Sequence, residues 1–300
     1  MKVLVLGATG YAGFHVARAL RQEGHTVLGL TRDAAGTRAQ ELVVEEIHPV
    51  EGRLSDPDSY RTALEEADAV VCAALDMDDP LGSDRKLFQT LREAEQHTGR
   101  SRHLVFTTGI TFLTTTREVW DETTPPAPDN PLYVRAQAEQ DLAASGMPHT
   151  IVRPSFIYGG SARSSKSAQW FTDARNGHSA FYGDVTKRYS WVHVDDLAAA
   201  YVAILERPEV ADGNIFMFGD EHQPKLLSVQ QACLRVAGYT GDITFQSAQS
   251  GGMLESCADR DELVTSEKAQ KLLGWSPRHP GILEDTLTYY AAWDRARPAG

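Results

Sequence analysis

The beginning of the chain limits its fold more than any other segment. An apolar run, KVLVL, has the length of a buried strand, and residues 14–23 have the apolar spacing of a helix. Between them the turn GATGYAG places Gly7, Gly10 and Gly13 three residues apart. Gly7 permits a tight turn, Gly10 lets a pyrophosphate approach the backbone, and Gly13 lets the helix pack close to the strand. Because a helix N-terminus also attracts phosphate, this turn predicts a dinucleotide site.

Length and composition fit a nucleotide-binding core with a smaller lobe, because 42% of the 300 residues are hydrophobic. The net charge of −12 argues against a nucleic-acid or anionic-membrane partner. Cys72, Cys233 and Cys257 are widely spaced and form no CxxC pair, so neither a disulfide framework nor a metal site is expected. No signal segment is apparent, and no apolar run approaches the ~18 residues of a membrane span. We therefore expect a cytoplasmic protein.

Strand-like and helix-like segments alternate through the first half of the chain. Strands are predicted at 2–6, 25–31, 42–49, 69–74, 103–108 and 149–153, and helices at 14–23, 56–67, 85–96 and 133–144. This alternation predicts an α/β fold, a Rossmann doubly wound parallel sheet, over residues 1–155. The alternation loosens in residues 156–300, where helices are predicted at 195–205 and 228–237. We expect this mixed segment to complete the sheet and to form a small C-terminal α/β substrate lobe.

The end of the second predicted strand indicates which dinucleotide the chain binds. Domains that prefer NAD(H) usually carry an acidic residue here, which accepts a hydrogen bond from the ribose 2′-hydroxyl. This chain carries Arg32, whose guanidinium suits the 2′-phosphate of NADP(H), although Asp33 follows it. The sequence therefore favours NADP(H) over NAD(H).

Seven segments, in the same order, together resemble the extended short-chain dehydrogenase/reductase family, the NAD-dependent epimerase/dehydratase group. They are GATGYAG, ADAVVCAA, VFTTGITF, PLYVRAQAEQDL, VRPSFIYGG, WVHVDDLAAA and TSEKAQKLLGWSP, and they span residues 1 to 277. The resemblance implies a Rossmann fold, a small-molecule substrate and a homodimer formed through the helix at 133–144. It also implies cofactor contacts at Gly7, Thr9, Gly10, Tyr11, Ala12, Gly13, Ala73, Ala74, Thr107, Tyr133, Gln137, Pro154 and Phe156.

The same resemblance implies a catalytic group. In this family a Tyr exchanges a proton with the reacting oxygen, a Ser or Thr hydrogen-bonds that oxygen, and a Lys four residues after the Tyr lowers its pKa. Tyr133 matches the Tyr and Thr108 matches the Ser or Thr, while Thr107 and Thr111 are neighbours that fit if the alignment shifts. Gln137 stands at the Lys position, so this chain departs from the family there.

An uncharged Gln137 favours one direction of reaction. Its amide can still contact a ribose hydroxyl, but it does not stabilise a phenolate as a cation does. Tyr133 would then donate a proton readily and accept one poorly, which suits the reduction of a carbonyl or imine. Two alternatives remain open. The chain is a nucleotide-sugar epimerase or dehydratase with tightly bound NAD, or it binds NADP(H) without redox chemistry.

The segment at 162–181 is expected to line a substrate pocket, with Arg163 and Arg175 among its cationic residues. The candidate substrate contacts are Thr111, Lys166, Trp170, Arg188 and Trp191. In relatives that act on nucleotide sugars, an Arg just before the VHVDD-like motif holds a phosphate, and Arg188 stands at that position. The aromatic residues suit a flat hydrophobic metabolite equally well, so both substrate classes stay open.

Overall fold

The structure is a computed structural model that describes residues 1–115, 118–161 and 164–296. Arg163 lies outside the described residues. The strands are β1 (Lys2–Leu6), β2 (Thr26–Thr31), β3 (His48–Glu51), β4 (Ala69–Cys72), β5 (His103–Thr107), β6 (His149–Pro154), β7 (Phe156–Tyr158), β8 (Ala180–Tyr182), β9 (Trp191–His193), β10 (Asn214–Phe218) and β11 (Thr244–Gln246). Seven of them form a parallel sheet in the order β3–β2–β1–β4–β5–β6–β10. This sheet confirms the predicted doubly wound α/β fold.

Helices cover both faces of this sheet and build the lobe beside it. They are α1 (Tyr11–Gln22), α2 (Thr37–Val44), α3 (Arg61–Glu66), α4 (Pro80–Thr98), α5 (Tyr133–Ala144), α6 (Lys166–Arg175), α7 (Val194–Glu206), α8 (Pro208–Ala211), α9 (Leu226–Val236), α10 (Met253–Cys257), α11 (Glu267–Leu273) and α12 (Thr286–Arg295). Within the described ranges, no helix is both long enough and apolar enough to cross a membrane.

The two faces of the sheet bury alternate residues of each strand, as the pleat requires. Val3 and Val5 of β1 face α1 and α7, whereas Leu4 and Leu6 belong to the core under α3, α4 and α5. Both faces are covered, which explains why this strand is uniformly apolar instead of alternating with polar residues. A third core, in the lobe, joins aromatic residues of β7 and β9 to helices α6, α9 and α12.

Several predicted boundaries change, and one predicted strand is partly wrong. Residues 42–44 form the last turn of α2, and β3 begins only at His48. Leu42 is buried against the sheet, whereas Val43 and Val44 are exposed, so the apolar run gave a false strand signal. The predicted helix at 56–67 begins as a 3-10 turn and continues as α3. Helix α4 begins earlier than predicted, because the Asp79 side chain caps it by accepting a hydrogen bond from the Gly82 amide.

The strand order reverses between β1 and β4, whose connections leave on opposite sides of the sheet. In open α/β sheets the carboxyl ends of two such strands leave a crevice between them, because their connections diverge. In this chain, residues from α6, α9 and α12 of the lobe line the same cleft as residues from the carboxyl ends of the strands. The fold therefore places a cleft directly after the glycine turn.

Candidate active site

The cleft has a volume of about 900 Å³ and lies between the carboxyl edge of the sheet and the lobe. Predicted cofactor residues contribute one wall, namely Gly10, Tyr11, Ala12, Ala73, Thr107, Pro154 and Phe156. Predicted catalytic and substrate residues contribute Thr108, Thr111, Lys166 and Trp170. Most of the sequence-predicted contacts are thus brought together at one site.

The glycine turn leaves no room for side chains. Gly7 has a φ of +89°, and a methyl group on it would lie 2.9 Å from the Ala73 carbonyl oxygen. A methyl group on Gly13 would clash with the carbonyl oxygen of Gly7. Helix α1 begins at Tyr11 with Gly10 as its N-cap, and no side chain caps its first amides. These amides can therefore receive a pyrophosphate, and the turn fits a dinucleotide.

The remaining cofactor candidates surround this turn. Thr9 is half-buried within the turn, and Ala74 packs against the core beside β4. Arg32 is exposed just beyond β2. Tyr11 lines the cleft, but its hydroxyl donates to the Gly159 carbonyl oxygen at 2.7 Å. Burial raises the pKa of this phenol well above its ordinary value, so Tyr11 does not serve as a base.

One cleft group was missed by sequence reasoning. Ser155 is buried directly after β6 and lines the cleft. Its hydroxyl oxygen has no hydrogen-bond partner among the described residues. A buried polar atom without a partner costs free energy unless a ligand or water satisfies it. Ser155 is therefore available to a molecule bound in the cleft, and only its position after the Arg-Pro pair hinted at this.

Helix α5 presents a different face to the sheet from the one predicted. Tyr133 is half-buried and packs against the apolar cluster that contains Phe112 and Trp120, while Gln137 is exposed. Neither residue is among those that line the cleft. Arg135 and Glu139 face the end of β5 instead. A shift of two residues turns a side chain by about 200° around a helix, so the two pairs lie on opposite faces.

Arg135 is held tightly in its place. Its Nη1 atom lies 2.5 Å from Asp84 Oδ2, and its Nη2 atom donates to the Thr107 carbonyl oxygen at 2.8 Å. Burial raises the pKa of the Asp84 carboxyl to about 6, against the opposing charge of Arg135. Counting four residues back along the same face from Arg135 leads to Pro131, which has no hydroxyl. This face of α5 therefore carries a cation but no phenol beside it.

Thr108 lines the cleft but holds its proton away from it. Its Oγ1 atom donates to Glu139 Oε1 at 2.6 Å. Arg153 binds the same carboxylate through Nε at 3.0 Å and Nη2 at 2.5 Å, and both charged side chains are buried. With its hydrogen directed at Glu139, the Thr108 hydroxyl offers only lone pairs to a ligand. It fits poorly the predicted role of donating to a carbonyl oxygen.

A second threonine in this segment also contacts a carboxyl group. Thr111 Oγ1 donates to Glu262 Oε2 at 2.8 Å, and Glu262 is completely buried. Thr107 contributes differently, since its Oγ1 atom lies 2.6 Å from the Tyr201 hydroxyl. Glu262 comes from a loop 151 residues further along the chain, so no local sequence signal could connect it to Thr111.

The lobe wall is aromatic, and its charges are paired. Lys166 Nζ lies 2.9 Å from Glu255 Oε1 and also lies over the Trp170 ring. Lys187 Nζ lies 3.1 Å from Asp259 Oδ1. Phe156 stacks on Tyr189, and both residues line the cleft.

Two predicted substrate residues are not among those that line the cleft. Arg188 binds Asp261 at 2.9 Å and Glu118 at 3.3 Å, which directs its guanidinium to these carboxylates. Trp191 is buried in the core of the lobe, where its indole packs against Phe156, Tyr158 and Trp170. Ion pairing holds the Arg188 side chain against two carboxylates, and hydrophobic burial holds the Trp191 indole in the lobe core.

One cluster outside the cleft contains residue types that bind metals. His193, Asp195 and His279 offer ligand atoms that lie within 4.8 Å of one another. His193 Nδ1, however, accepts from the Asp195 amide and caps α7, and Asp195 Oδ1 lies 2.6 Å from His15 Nδ1. A His that accepts at Nδ1 carries its proton at Nε2, which makes that atom a donor and not a ligand. We read the cluster as the structural start of α7.

Comparison with known proteins identifies the family. The model of the NAD dependent epimerase/dehydratase family matches residues 3–219. A UDP-glucose 4-epimerase of Lactobacillus helveticus is 26% identical, covering 100% of this chain and 99% of that protein. An NAD(P)H azoreductase of Xenophilus azovorans is also 26% identical, covering 99% and 98%. The structure of a UDP-glucose 4-epimerase with UDP-glucose from Thermotoga maritima has the same fold, with a TM-score of 0.82 and 18% identity over 98% and 99% of the two chains. The chain belongs to the NAD dependent epimerase/dehydratase family, as its motifs predicted.

Proposed function

We propose that this protein is an NADP(H)-dependent reductase that acts on a carbonyl or imine of a small metabolite. One observation carries the direction of reaction. Among the described cleft residues no phenol stands beside a free amine, since Lys166 and Lys187 are both ion-paired and Tyr133 lies elsewhere. A phenol acts as a base near neutral pH when a neighbouring cation lowers its pKa, so these residues do not provide the tyrosine base of an alcohol dehydrogenase, whereas reduction needs only a proton donor. The relative named as an azoreductase supports this direction.

The cofactor would be held by the glycine turn and by the residues at the end of β2. The α1 amides would receive the pyrophosphate, and Arg32 would receive the 2′-phosphate. Asp33, the acidic residue that follows Arg32, accepts a hydrogen bond from the Ala35 amide at its Oδ1 atom, at 3.0 Å. When bound, reduced nicotinamide supplies a hydride, that is, two electrons and one hydrogen.

Two alternatives differ in how the observations support them. A nucleotide sugar carries a diphosphate, and Arg188, the residue predicted to bind it, is paired with Asp261 and Glu118. The epimerase alternative is therefore disfavoured. The position of Tyr133 outside the cleft favours the other alternative, a protein that binds NADP(H) without turning it over.

Isotope transfer separates a reductase from a binder. We expect NADPH carrying deuterium at the nicotinamide C4 position to deliver that label to a carbonyl or imine substrate, measured by mass spectrometry of the product. Tight binding of NADPH without label transfer across a broad carbonyl and imine panel would favour the binder. Copurification of tightly held NAD would favour the epimerase instead.

Replacing Arg32 with Ala should weaken NADPH binding by about tenfold to a hundredfold, about 1.4–2.7 kcal/mol, because a charge-assisted phosphate contact is lost. NADH binding should change little, since NADH has no 2′-phosphate. Quenching of tryptophan fluorescence by each cofactor measures both affinities. Arg38→Ala is a suitable control for loss of an exposed arginine in the following helix. An equal loss of NADPH affinity in both variants would contradict the assignment.

Tyr133→Phe tests whether this phenol is the proton donor. A general acid contributes roughly 10²–10⁴-fold to a rate, so loss of a true donor should reduce kcat by that amount. Because Tyr133 packs against the cluster that contains Phe112 and Trp120 and is not among the residues that line the cleft, we expect kcat to fall by less than about tenfold. Steady-state reduction with saturating NADPH measures this. A larger fall in kcat would mean that the Tyr133 phenol is the proton donor after all.

A further inference from the structure

We propose that Thr111 Oγ1 supplies the proton that the reduced substrate takes up, and that Glu262 stores this proton behind it. The inference rests on the proposed reductase function and names the donor that the position of Tyr133 leaves unassigned. The two threonine–carboxyl contacts that follow β5 differ in the charge that surrounds the carboxyl group.

The first contact, between Thr108 and Glu139, is fixed. Arg153 binds both oxygens of Glu139, so a buried positive charge opposes the buried negative charge. A carboxylate paired in this way keeps accepting the Thr108 hydrogen. Thr108 thus remains an acceptor toward the cleft whatever is bound there.

The second contact lacks a matching cation. The nearest guanidinium atom, Arg260 Nη2, is 3.5 Å from Glu262 Oε1. That same atom donates to the carbonyl oxygens of Thr111 and Leu113 at 2.7 and 2.9 Å. Its hydrogen bonds to the backbone are therefore shorter than its contact with Glu262. Glu262 is a fully buried carboxyl group with only a weak ion pair.

Burial therefore raises the pKa of Glu262 to about 7, although Arg260, the Thr111 hydrogen bond and Lys166 all lower it. The charged or titratable groups that face Glu262 are the Arg260 guanidinium, the Lys166 ammonium, the Tyr189 phenol and the Cys257 thiol. Burial raises the pKa values of the phenol and the thiol above their ordinary values, so both groups stay uncharged near neutral pH. Glu262 thus exchanges its proton in the physiological range.

The protonation state of Glu262 decides what Thr111 can do. While Glu262 is ionised, Thr111 must donate to it and offers only lone pairs to the cleft. When Glu262 carries a proton, it donates to Thr111 Oγ1, and the Thr111 hydrogen is free to point into the cleft that Thr111 lines. The pair is then a donor to an oxygen or nitrogen that becomes negative during reduction.

The proton balance closes through two short transfers. As the carbonyl carbon gains the hydride, its oxygen forms an O–H bond with the Thr111 hydrogen. Thr111 Oγ1 takes the Glu262 proton in the same movement, so the hydroxyl is restored and Glu262 becomes a carboxylate. After the product leaves, Glu262 regains a proton from solvent through Thr111. One hydride and one proton are consumed for each alcohol formed, and an imine becomes an amine in the same way.

The first test compares pH profiles of reduction. We expect wild-type kcat to fall as the pH rises through about 7, because only protonated Glu262 donates. Glu262→Gln and Thr111→Val should each lower kcat by roughly 10²-fold, with little change in KM for NADPH, and should remove this pH dependence. Thr111→Ser keeps the hydroxyl and should restore both the rate and the profile. Retention of the wild-type profile in Glu262→Gln would overturn the proposal.

Asp220→Asn is the matched control. Asp220 is a buried acid whose pKa burial also raises to about 7, but it is not among the residues lining the cleft. It contacts Tyr158 and the His222 amide instead. This variant should keep the fall in kcat at the same pH. If it abolishes the fall while Glu262→Gln does not, the titrating group is Asp220, and the proposal is wrong.

The second test needs no turnover. In the cofactor-free protein labelled with ¹³C at glutamate carboxyl groups, the NMR signal lost in Glu262→Gln should titrate near pH 7. Thr111→Val should move that titration upward, since the hydrogen bond that favours the carboxylate is gone, and Thr111→Ser should not. Titration in the ordinary range near 4.3 would overturn the proposal even if the protein is a reductase. If wild type transfers no hydride, the proposed function fails, and this titration still decides whether the pair stores a proton.

Discussion

Arg153→Ala should lower the free energy of unfolding by about 3–5 kcal/mol, the largest loss of stability that we expect from removing a single charge. The variant leaves the Glu139 carboxylate buried without its cation, while Thr108 alone still donates to it. The Arg153 guanidinium also packs over the Phe112 ring, so an apolar contact is lost as well. Urea unfolding followed by circular dichroism measures the difference.

Arg18→Ala is the control for this prediction. Arg18 pairs with Asp195 at 2.7 Å, but both side chains are about one-third exposed. Partly solvated pairs of this kind contribute about 0–1 kcal/mol. A loss in Arg153→Ala no larger than that in Arg18→Ala would mean that the Glu139 carboxylate is solvated in the folded protein.

Gly13→Ala should reduce NADPH affinity by at least about a hundredfold, about 2.7 kcal/mol. The added methyl group would clash with the Gly7 carbonyl oxygen, which belongs to the backbone and cannot rotate away. Helix α1 must then move away from β1, so its N-terminal amides leave the position where they meet a pyrophosphate. Isothermal titration with NADPH measures the affinity, and thermal unfolding measures the accompanying loss of stability.

Gly24→Ala tests the same substitution at the other end of α1. Gly24 has a φ of +83°, but a methyl group there would meet no atom within 4 Å. It should cost only the roughly 1–2 kcal/mol of a left-handed backbone and leave NADPH affinity unchanged. Wild-type affinity in Gly13→Ala would show that α1 tolerates displacement and does not bind the phosphates.

The fold was predictable because its signals are local. The uniformly apolar β1 is buried on both faces, and the glycines of the turn follow it directly. The predicted bounds of the helix at 133–144 agree with those of α5. The error at residues 42–44 has a local cause too, since Val43 and Val44 are apolar residues at solvent-exposed positions of α2. Apolar character alone does not tell a helix surface from a strand.

The catalytic group was only partly predictable, because its chemistry depends on which helix face meets the sheet. Tyr133 and Gln137 share one face of α5, Arg135 and Glu139 share the opposite face, and the sequence spacing does not tell which face meets the sheet. In the folded chain, Asp84 and the Thr107 carbonyl oxygen bind Arg135, and these contacts turn the Arg135 face of α5 toward the sheet. Glu262 could not be found at all, since only the folded chain brings it to Thr111.

The packing of α1 on α7 has a consequence for how the chain reaches its native state. His15 and Asp195 join these helices across 180 residues, and Val16 and Leu20 share a core with Leu197. A contact this distant in sequence forms slowly, because closing a long loop costs conformational entropy before the contact contributes any stability. During synthesis α1 can already pack on β1 and β2, but the side of α1 that packs on α7 stays uncovered until α7 has left the ribosome.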